Sequence, residues 1–219
     1  MHATTTTTTT IAAPARPHRT ITPSVLYFGT PVVLLTTENP DGTPNLAAFS
    51  SAWALGRTVV LGLGRDSRTA HNLADRPGVV VNLPSPDLWP AVERLAPLTG
   101  ADPVPPEKRP VYRYEPDKFA AAGLTPQASV RVRPPRVAQC PLQLEARVRQ
   151  RTRSADGSFW TVEAEVVHVH ADPAVTVPDT QYVDPARWSP LVYNFRHYHG
   201  LGPELGHGFR SETAALRTR

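Results

Sequence analysis

The sequence predicts a mainly β fold, an antiparallel barrel with a few peripheral helices, and three observations carry that prediction. The clearest is a pair of long alternating segments around a tight turn. Leu142, Leu144, Ala146 and Val148 alternate with Gln143, Glu145, Arg147 and Arg149, and after Asp156-Gly157 the series Trp160, Val162, Ala164 and Val166 alternates with Thr161, Glu163 and Glu165. The second is a set of earlier β-branched runs, residues 32–37, 58–64 and 78–83, each bounded by Gly or Pro. The third is composition: 25 Pro and 13 Gly in 219 residues favour short strands and turns over long helices.

Residues 1–20 hold seven consecutive threonines, Thr4 to Thr10, and a basic Arg16-Pro17-His18-Arg19. They offer neither the charged start nor the apolar stretch of a secretory signal, and read as a disordered tail on a cytoplasmic protein. The folded domain is expected over 21–203, with a second tail over 204–219. After the first run, Asn39-Pro40-Asp41-Gly42 is a turn whose Gly can take positive φ, and a strand from Asn45 to about Leu55 should fold back antiparallel. Residues 58–64 make the next strand, ending in a basic loop over 65–68. Ala70, Leu73 and Ala74 then recur at helical spacing until Pro77-Gly78. Residues 78–83 form a buried strand closed by Pro84. The stretch that follows carries nine prolines from Pro84 to Pro116, and reads as a short helix followed by a surface excursion. Residues 115–123 offer a helical turn or two stopped by Gly123. The two long strands come last.

Several function classes are excluded. No apolar run approaches the roughly 18 residues that span a bilayer. The single Cys140 can close no intrachain disulfide and build no thiolate metal site. Net charge is +4 with a pI near 9.6, but Lys108 and Lys118 are the only lysines, and the arginines are spread along the whole chain. That reads as coding bias rather than as a nucleic-acid surface. His168 and His170, like His197 and His199, are two apart and share a strand face. The first pair should face the same way as Val162, Ala164 and Val166, and no Asp or Glu spacing completes a ligand set, so no metal is expected.

Three segments form a candidate constellation: residues 45–51 (Asn-Leu-Ala-Ala-Phe-Ser-Ser), residues 65–73 (Arg-Asp-Ser-Arg-Thr-Ala-His-Asn-Leu), and Asn82-Leu83. Small residues in the first let a flat ligand approach the backbone, and Asn45, Ser50 and Ser51 supply hydrogen bonds. The second enters a helix, bringing hydroxyls, Arg65, Arg68 and unpaired N–H groups to a positive dipole end. Those are the ingredients of a phosphate seat. The plainer reading is that Asp66 or Ser67 only caps the helix and the arginines are solvated.

The sequence resembles the flavin reductase-like proteins with an FMN-binding split barrel, which include the flavoredoxins. The resemblance runs from about Tyr27 to Gly202 and rests on residues 28–37, 41–47, Ser50, Thr69-Ala70-His71-Asn72-Leu73, Val81-Asn82-Leu83, Lys118-Phe119 through Gly123-Leu124-Thr125, and 141–145. It implies an antiparallel split β-barrel of Greek-key type that binds FMN, with Asn45, Ala47, Ser50, Thr69 and Asn72 carried over by position and Ser51 and Asn82 beside them. Many relatives place a lysine two residues before the threonine. Here Ser67 stands there, and Arg65 or Arg68 would supply the charge. Late segments of the family lie near the isoalloxazine ring, which brings in His168, Phe195, Arg196 and Tyr198, with Arg196 as a cation for the reduced ring. The resemblance further implies a homodimer and hydride transfer from NADH or NADPH to FMN. Reduced flavin would then serve a partner oxygenase. Rivals are an FMN enzyme acting directly on an organic substrate, with residues 85–115 as its lid, and a flavoredoxin-like electron carrier. With one phosphate seat and no second site for an adenylate, FMN is expected over FAD, and no Gly-x-Gly-x-x-Gly marks a nicotinamide site.

Overall fold

The computed structural model describes residues 18–206 and 208. Most of the tail expected over 1–20, and most of that expected over 204–219, lies outside the described residues. The strands are β1 (Phe28–Pro31), β2 (Val33–Glu38), β3 (Pro44–Phe49), β4 (Ala52–Leu55), β5 (Thr58–Gly64), β6 (Gly78–Leu83), β7 (Leu98–Thr99), β8 (Arg113–Tyr114), β9 (Pro126–Gln127), β10 (Arg136–Val137), β11 (Leu142–Arg153), β12 (Phe159–Ala171), β13 (Val192–Asn194) and β14 (His197–His199). The α-helices are α1 (Arg68–Asp75), α2 (Trp89–Leu95) and α3 (Lys118–Ala122). No helix among the described residues is long and apolar enough to cross a membrane.

Seven strands form one antiparallel sheet in the order β3-β2-β6-β11-β12-β5-β4. Its two edge strands are consecutive in sequence, so Ser50-Ser51 joins opposite edges and rolls the sheet into a barrel. The single strand expected from Asn45 to Leu55 is therefore two. Gly62 N–H donates to Ser51 O at 2.7 Å, stitching the seam. A Cβ at Gly62 would sit 2.9 Å from Ser51 Cβ, closer than carbon atoms pack. Gly62→Ala is accordingly expected to cost about 1–3 kcal/mol, as overpacking does. Urea unfolding of the purified protein measures this, and an unchanged midpoint would mean that the seam yields freely.

Alternation sorts β2 between two cores. Val33 and Leu35 point into the barrel with Leu61, Leu63, Val79, Val81, Ala146, Val162 and Ala164, and α1 adds Ala70 and Leu73 to that core. Leu34, with Val32 just before the strand, points outward to a second core with Leu46, Val92, Leu95, Leu98, Phe119 and Leu191. This outer layer consists of the proline-rich excursion and α3, held against the face of β2 and β3. Gly123 ends α3 with a φ of +68°, as its place after the alanines requires.

The register of β11 with β12 slips between Glu145/Ala146, where Glu145 pairs with His168 and Ala146 with Val166. Val167 is thus an extra residue, and a bulge reverses side-chain parity beyond it. His168 and His170 therefore do not share the face of Val162, Ala164 and Val166, contrary to the period-two expectation. They stand on the opposite face with Glu145. That carboxylate is fully buried and accepts from Val130 N (2.8 Å), Arg131 N (2.5 Å) and Val132 N (3.0 Å), and meets His170 Nε2 at 2.6 Å. Burial alone would raise its pKa, but these hydrogen bonds outweigh burial and hold the carboxyl below its ordinary value. Glu145 thereby clamps the loop between β9 and β10 onto the barrel.

Candidate functional site

A groove runs along the barrel seam beneath the proline-rich excursion. Its wider part, about 730 Å³, is floored by Ser50, Ser51, Gly62 and Gly64 and walled by Tyr27, Phe49, Tyr112, Phe159, Tyr193 and Tyr198. Its narrower part, about 280 Å³, holds Ala47, Ser67, Arg68, Thr69, Gly100, Lys108 and Lys118. The two share Ala48, Phe49, Gly64, Ala96 and Tyr112 and so form one elongated cleft. One end is flat and aromatic. The other carries three cations and no carboxylate.

The cationic end is built around Lys118. Lys118 is 5% exposed, and its ammonium donates to Asn45 Oδ1 at 3.0 Å. The Asn45 amide in turn donates to Thr37 Oγ1 (3.3 Å) and Thr69 Oγ1 (3.2 Å). Thr69 thus accepts through its oxygen and keeps its own O–H free to donate into the cleft. Burial first, and then the charge of Arg68, pull the Lys118 pKa down from 10.5 to about 8, with Glu115 opposing. A buried ammonium with donors to spare has the chemistry to pair with an anion. Lys108 Nζ donates to Asp66 O (2.7 Å) and Arg68 Nε to Gly100 O (2.6 Å), so the excursion is fastened to the entrance of α1 at two points.

The sequence-derived residues divide around this cleft. Ala47, Ser50, Ser51, Ser67, Arg68, Thr69 and Tyr198 line it, and Asn45 orients Lys118 and Thr69 behind its wall. Ser67 accepts from Ala70 N at 3.1 Å, the ordinary work of an N-cap. Arg65 is not in the cleft and pairs with Asp66 at 2.8 Å, so of the two arginines Arg68 carries the charge there. Asn72, on α1, is buried outside the cleft lining and donates to Thr37 Oγ1 (3.0 Å) and Asn39 Oδ1 (2.9 Å). Asn82 does not line the cleft either: its amide donates to Leu34 O (2.9 Å) and its oxygen accepts from Val137 N (2.7 Å), tying β10 to the barrel. His168 lies on the β12 face of Glu145, turned there by the Val167 bulge, and its ring sits 4.5 Å from that of His170. Both lysines escaped the sequence reading of the site. The signal was present, since a chain so depleted in lysine spends its only two on this one cavity.

Asn72→Ala follows from this placement as a stability change rather than a ligand change. It should cost about 1–3 kcal/mol by leaving Thr37 and Asn39 short of a donor. Flavin affinity, measured by fluorescence titration, should move less than threefold. A selective loss of flavin affinity with unaltered stability would return Asn72 to the site.

The late hairpin closes the aromatic end. Tyr193 and Tyr198 have ring centroids 5.3 Å apart, Tyr27 lies 5.5 Å from Tyr193, and Tyr198 donates to Glu93 Oε2 at 2.9 Å. The turn between β13 and β14 is Phe195-Arg196, both with positive φ (44° and 69°), a two-residue turn of the primed kind without the usual glycine. Phe195 and Arg196 are not among the residues lining the cleft. They stand at the hairpin tip, where Phe195 N–H donates to Tyr27 O at 2.6 Å.

The chain is 44% identical to the uncharacterized protein YdfE of Bacillus subtilis (strain 168) over 200 residues, covering 90% of this chain and 96% of that one. Among solved structures it is similar to the flavoredoxin of Desulfovibrio vulgaris (Miyazaki F), with a TM-score of 0.74 and 20% identity over 90% of this chain and 100% of that one. It is similar also to nitrilotriacetate monooxygenase component B from Bacillus cereus, with a TM-score of 0.67 and 17% identity over 84% and 89% of the two chains. These likenesses establish the split-barrel fold. A family model described as "Flavin reductase like domain" matches residues 25–202. That match takes in the barrel, the cationic seat and the late hairpin together, and the chain belongs to the flavin reductase-like family.

Proposed function

We propose that the protein is an NAD(P)H-dependent flavin reductase type of oxidoreductase, a cytoplasmic homodimer that holds FMN in the seam groove. The observation that supports this most directly is the sequence of chemistry along one cleft: flat aromatic walls over small, backbone-exposing residues, then three cations with no carboxylate. An isoalloxazine ring with a phosphate tail has the same order. Lys118, Lys108, Arg68 and the Thr69 hydroxyl would hold the phosphate. Ser50, Ser51 and Gly62 would meet the ring through backbone and hydroxyl groups, and Tyr193 and Tyr198 would flank it. When bound, the flavin supplies the hydride acceptor, so no protein acid or base is obligatory. The chain's own residues position the ring, exclude water from one face and neutralise the phosphate. Monooxygenase component B among the structural neighbours suits delivery of reduced flavin to an oxygenase.

The dimer is supported by exposed apolar side chains: Phe28 on β1 is 76% exposed, and Trp53 and Leu55 on β4 are 58% and 75% exposed. One preparation tests both parts. Purified protein titrated with FMN should give a perturbed flavin spectrum, anaerobic NADH or NADPH should bleach it, and light scattering should give about twice the 23.9 kDa chain mass. Binding without bleaching by either nucleotide would favour an electron carrier, and a clean monomer that holds flavin fully would remove the dimer.

A further inference from the structure

A second cavity, of about 660 Å³, adjoins the phosphate seat and shares Arg68 and Gly100 with it. Part of its wall is flat and apolar, from Tyr114, Phe119 and the rings of Pro40 and Pro116. Another part carries the carboxylates of Asp41, Glu115 and Asp117. The partition between the two cavities is thin: a Cβ on Gly100 would lie 2.5 Å from Asn45 Oδ1 and 3.4 Å from Lys118 Nζ. Arg68 stands in this partition with its Nε committed to Gly100 O, which leaves its terminal nitrogens for an anion. Lys118, 95% buried by its 5% exposure, adds an ammonium whose donors are only partly used.

Across the molecule the order is therefore aromatic cleft, cation cluster, flat-walled cavity with carboxylates. A dinucleotide has a matching order of ring system, linked phosphates, ribose and base. We propose that the second cavity seats the adenosine 5′-phosphate of a nucleotide whose ribose 2′-hydroxyl is unsubstituted. The phosphate would meet Arg68, and the base would lie against Tyr114 and the proline rings. The carboxylates are placed to accept from ribose hydroxyls. Asp41 Oδ1 is engaged by Thr43, Glu115 Oε1 by Asp117 N–H and Asp117 Oδ1 by Ala120 N–H, while the second oxygen of each has no partner among the described residues. The same negative charges repel a phosphate on the 2′ position, as an acidic residue at the ribose does in dinucleotide folds. The inference rests on the flavin reading above. An adenosine seat would also remove the ground for expecting FMN over FAD.

The adenylate has two sources, the flavin itself as FAD or the nicotinamide donor, and titration calorimetry on the full chain separates them. In the first case flavin-free protein binds FAD at least tenfold more tightly than FMN, and Tyr114→Ser, at a side chain 43% exposed, removes that gain without changing FMN affinity. In the second, FAD and FMN bind alike, but FMN-loaded protein binds 5′-AMP and Tyr114→Ser weakens it at least fivefold. In both, adenosine 2′,5′-diphosphate binds at least tenfold more weakly than 5′-AMP, and Glu115→Gln narrows the gap. FAD no tighter than FMN, together with no 5′-AMP binding to FMN-loaded protein, overturns the adenosine seat and leaves the flavin reading intact. Failure of both FMN and FAD to bind overturns the flavin reading and this inference with it.

Discussion

Lys118→Met is expected to weaken FMN by about 100-fold while leaving riboflavin within threefold, because a phosphate loses a buried charge-assisted partner worth about 3 kcal/mol. Lys118 and its acceptor Asn45 are both buried, and Lys118 sits in the part of the cleft that carries no carboxylate. Riboflavin shares the ring and lacks the phosphate, so the pair of titrations separates charge from packing. The same variant should not lose stability in the flavin-free state. The displacement of the lysine from 10.5 to about 8 corresponds to roughly 3 kcal/mol of unfavourable burial at neutral pH. Against this, Asn45 loses its donor, at about 1–3 kcal/mol. The flavin-free variant should therefore melt no lower than the parent. A variant that melts lower and loses FMN and riboflavin alike would make Lys118 a structural residue.

The sign of the pH dependence follows from the same residue. The folded pKa lies below the unfolded value of about 10.4, so between about 8 and 10.4 the unfolded chain binds more protons. Flavin-free stability should then rise with pH across that window. FMN affinity should do the opposite. It should be flat between about pH 7 and 8, where the ammonium is already charged and the phosphate is a dianion, and fall above about 8, because the bound phosphate requires the proton. Riboflavin should show no such fall.

How much of this was legible in the sequence depends on which residues set each feature. The strands were readable because Leu142 to Val148 and Trp160 to Val166 alternate without interruption, and because Gly42 and Gly157 mark turns that require positive φ. The seam was not readable. Ser50-Ser51 breaks a β-rich stretch by only two small polar residues, and what makes it a corner is its pairing with Gly62, from a different strand. The Val167 bulge was invisible for a similar reason. Its cause is the partner strand, where Glu145 must face outward to meet the loop while Ala146 fills the core. Within the candidate site, the helix entrance at residues 67–69 showed itself through local spacing. Lys108 and Lys118 did not, since they reach it from an aperiodic excursion and a short helix, 40 and 50 residues downstream of Arg68, through contacts made only in the fold.

Glu145→Ala is the other substitution expected to have a large effect, of about 3–5 kcal/mol on folding, as when one partner of a buried charged network is removed. The variant leaves the N–H groups of Val130, Arg131 and Val132 and the His170 ring without their acceptor. Glu145→Gln is not a rescue. Its two oxygens accept on separate sides, Val130 and His170 on Oε1, Arg131 and Val132 on Oε2, so an amide NH₂ must face donors on one of them. Hydrogen exchange should show protection lost first at Val130 to Val132, ahead of the barrel strands. The pH dependence has a definite sign. The folded carboxyl lies below its ordinary value and the unfolded one near 4.3, so its contribution is complete above about pH 4.3 and is lost as pH falls through the folded pKa. Glu145→Ala should flatten that part of the acid limb in urea unfolding run from pH 7 downward. The loop it releases leads back through β9 to α3, which carries Lys118, so FMN affinity should fall as well, by less than in Lys118→Met. If Glu145→Ala instead retained full stability and the parent's acid limb, the carboxylate clamp would be incidental to the fold, and the outward turn at the Val167 bulge would need another cause.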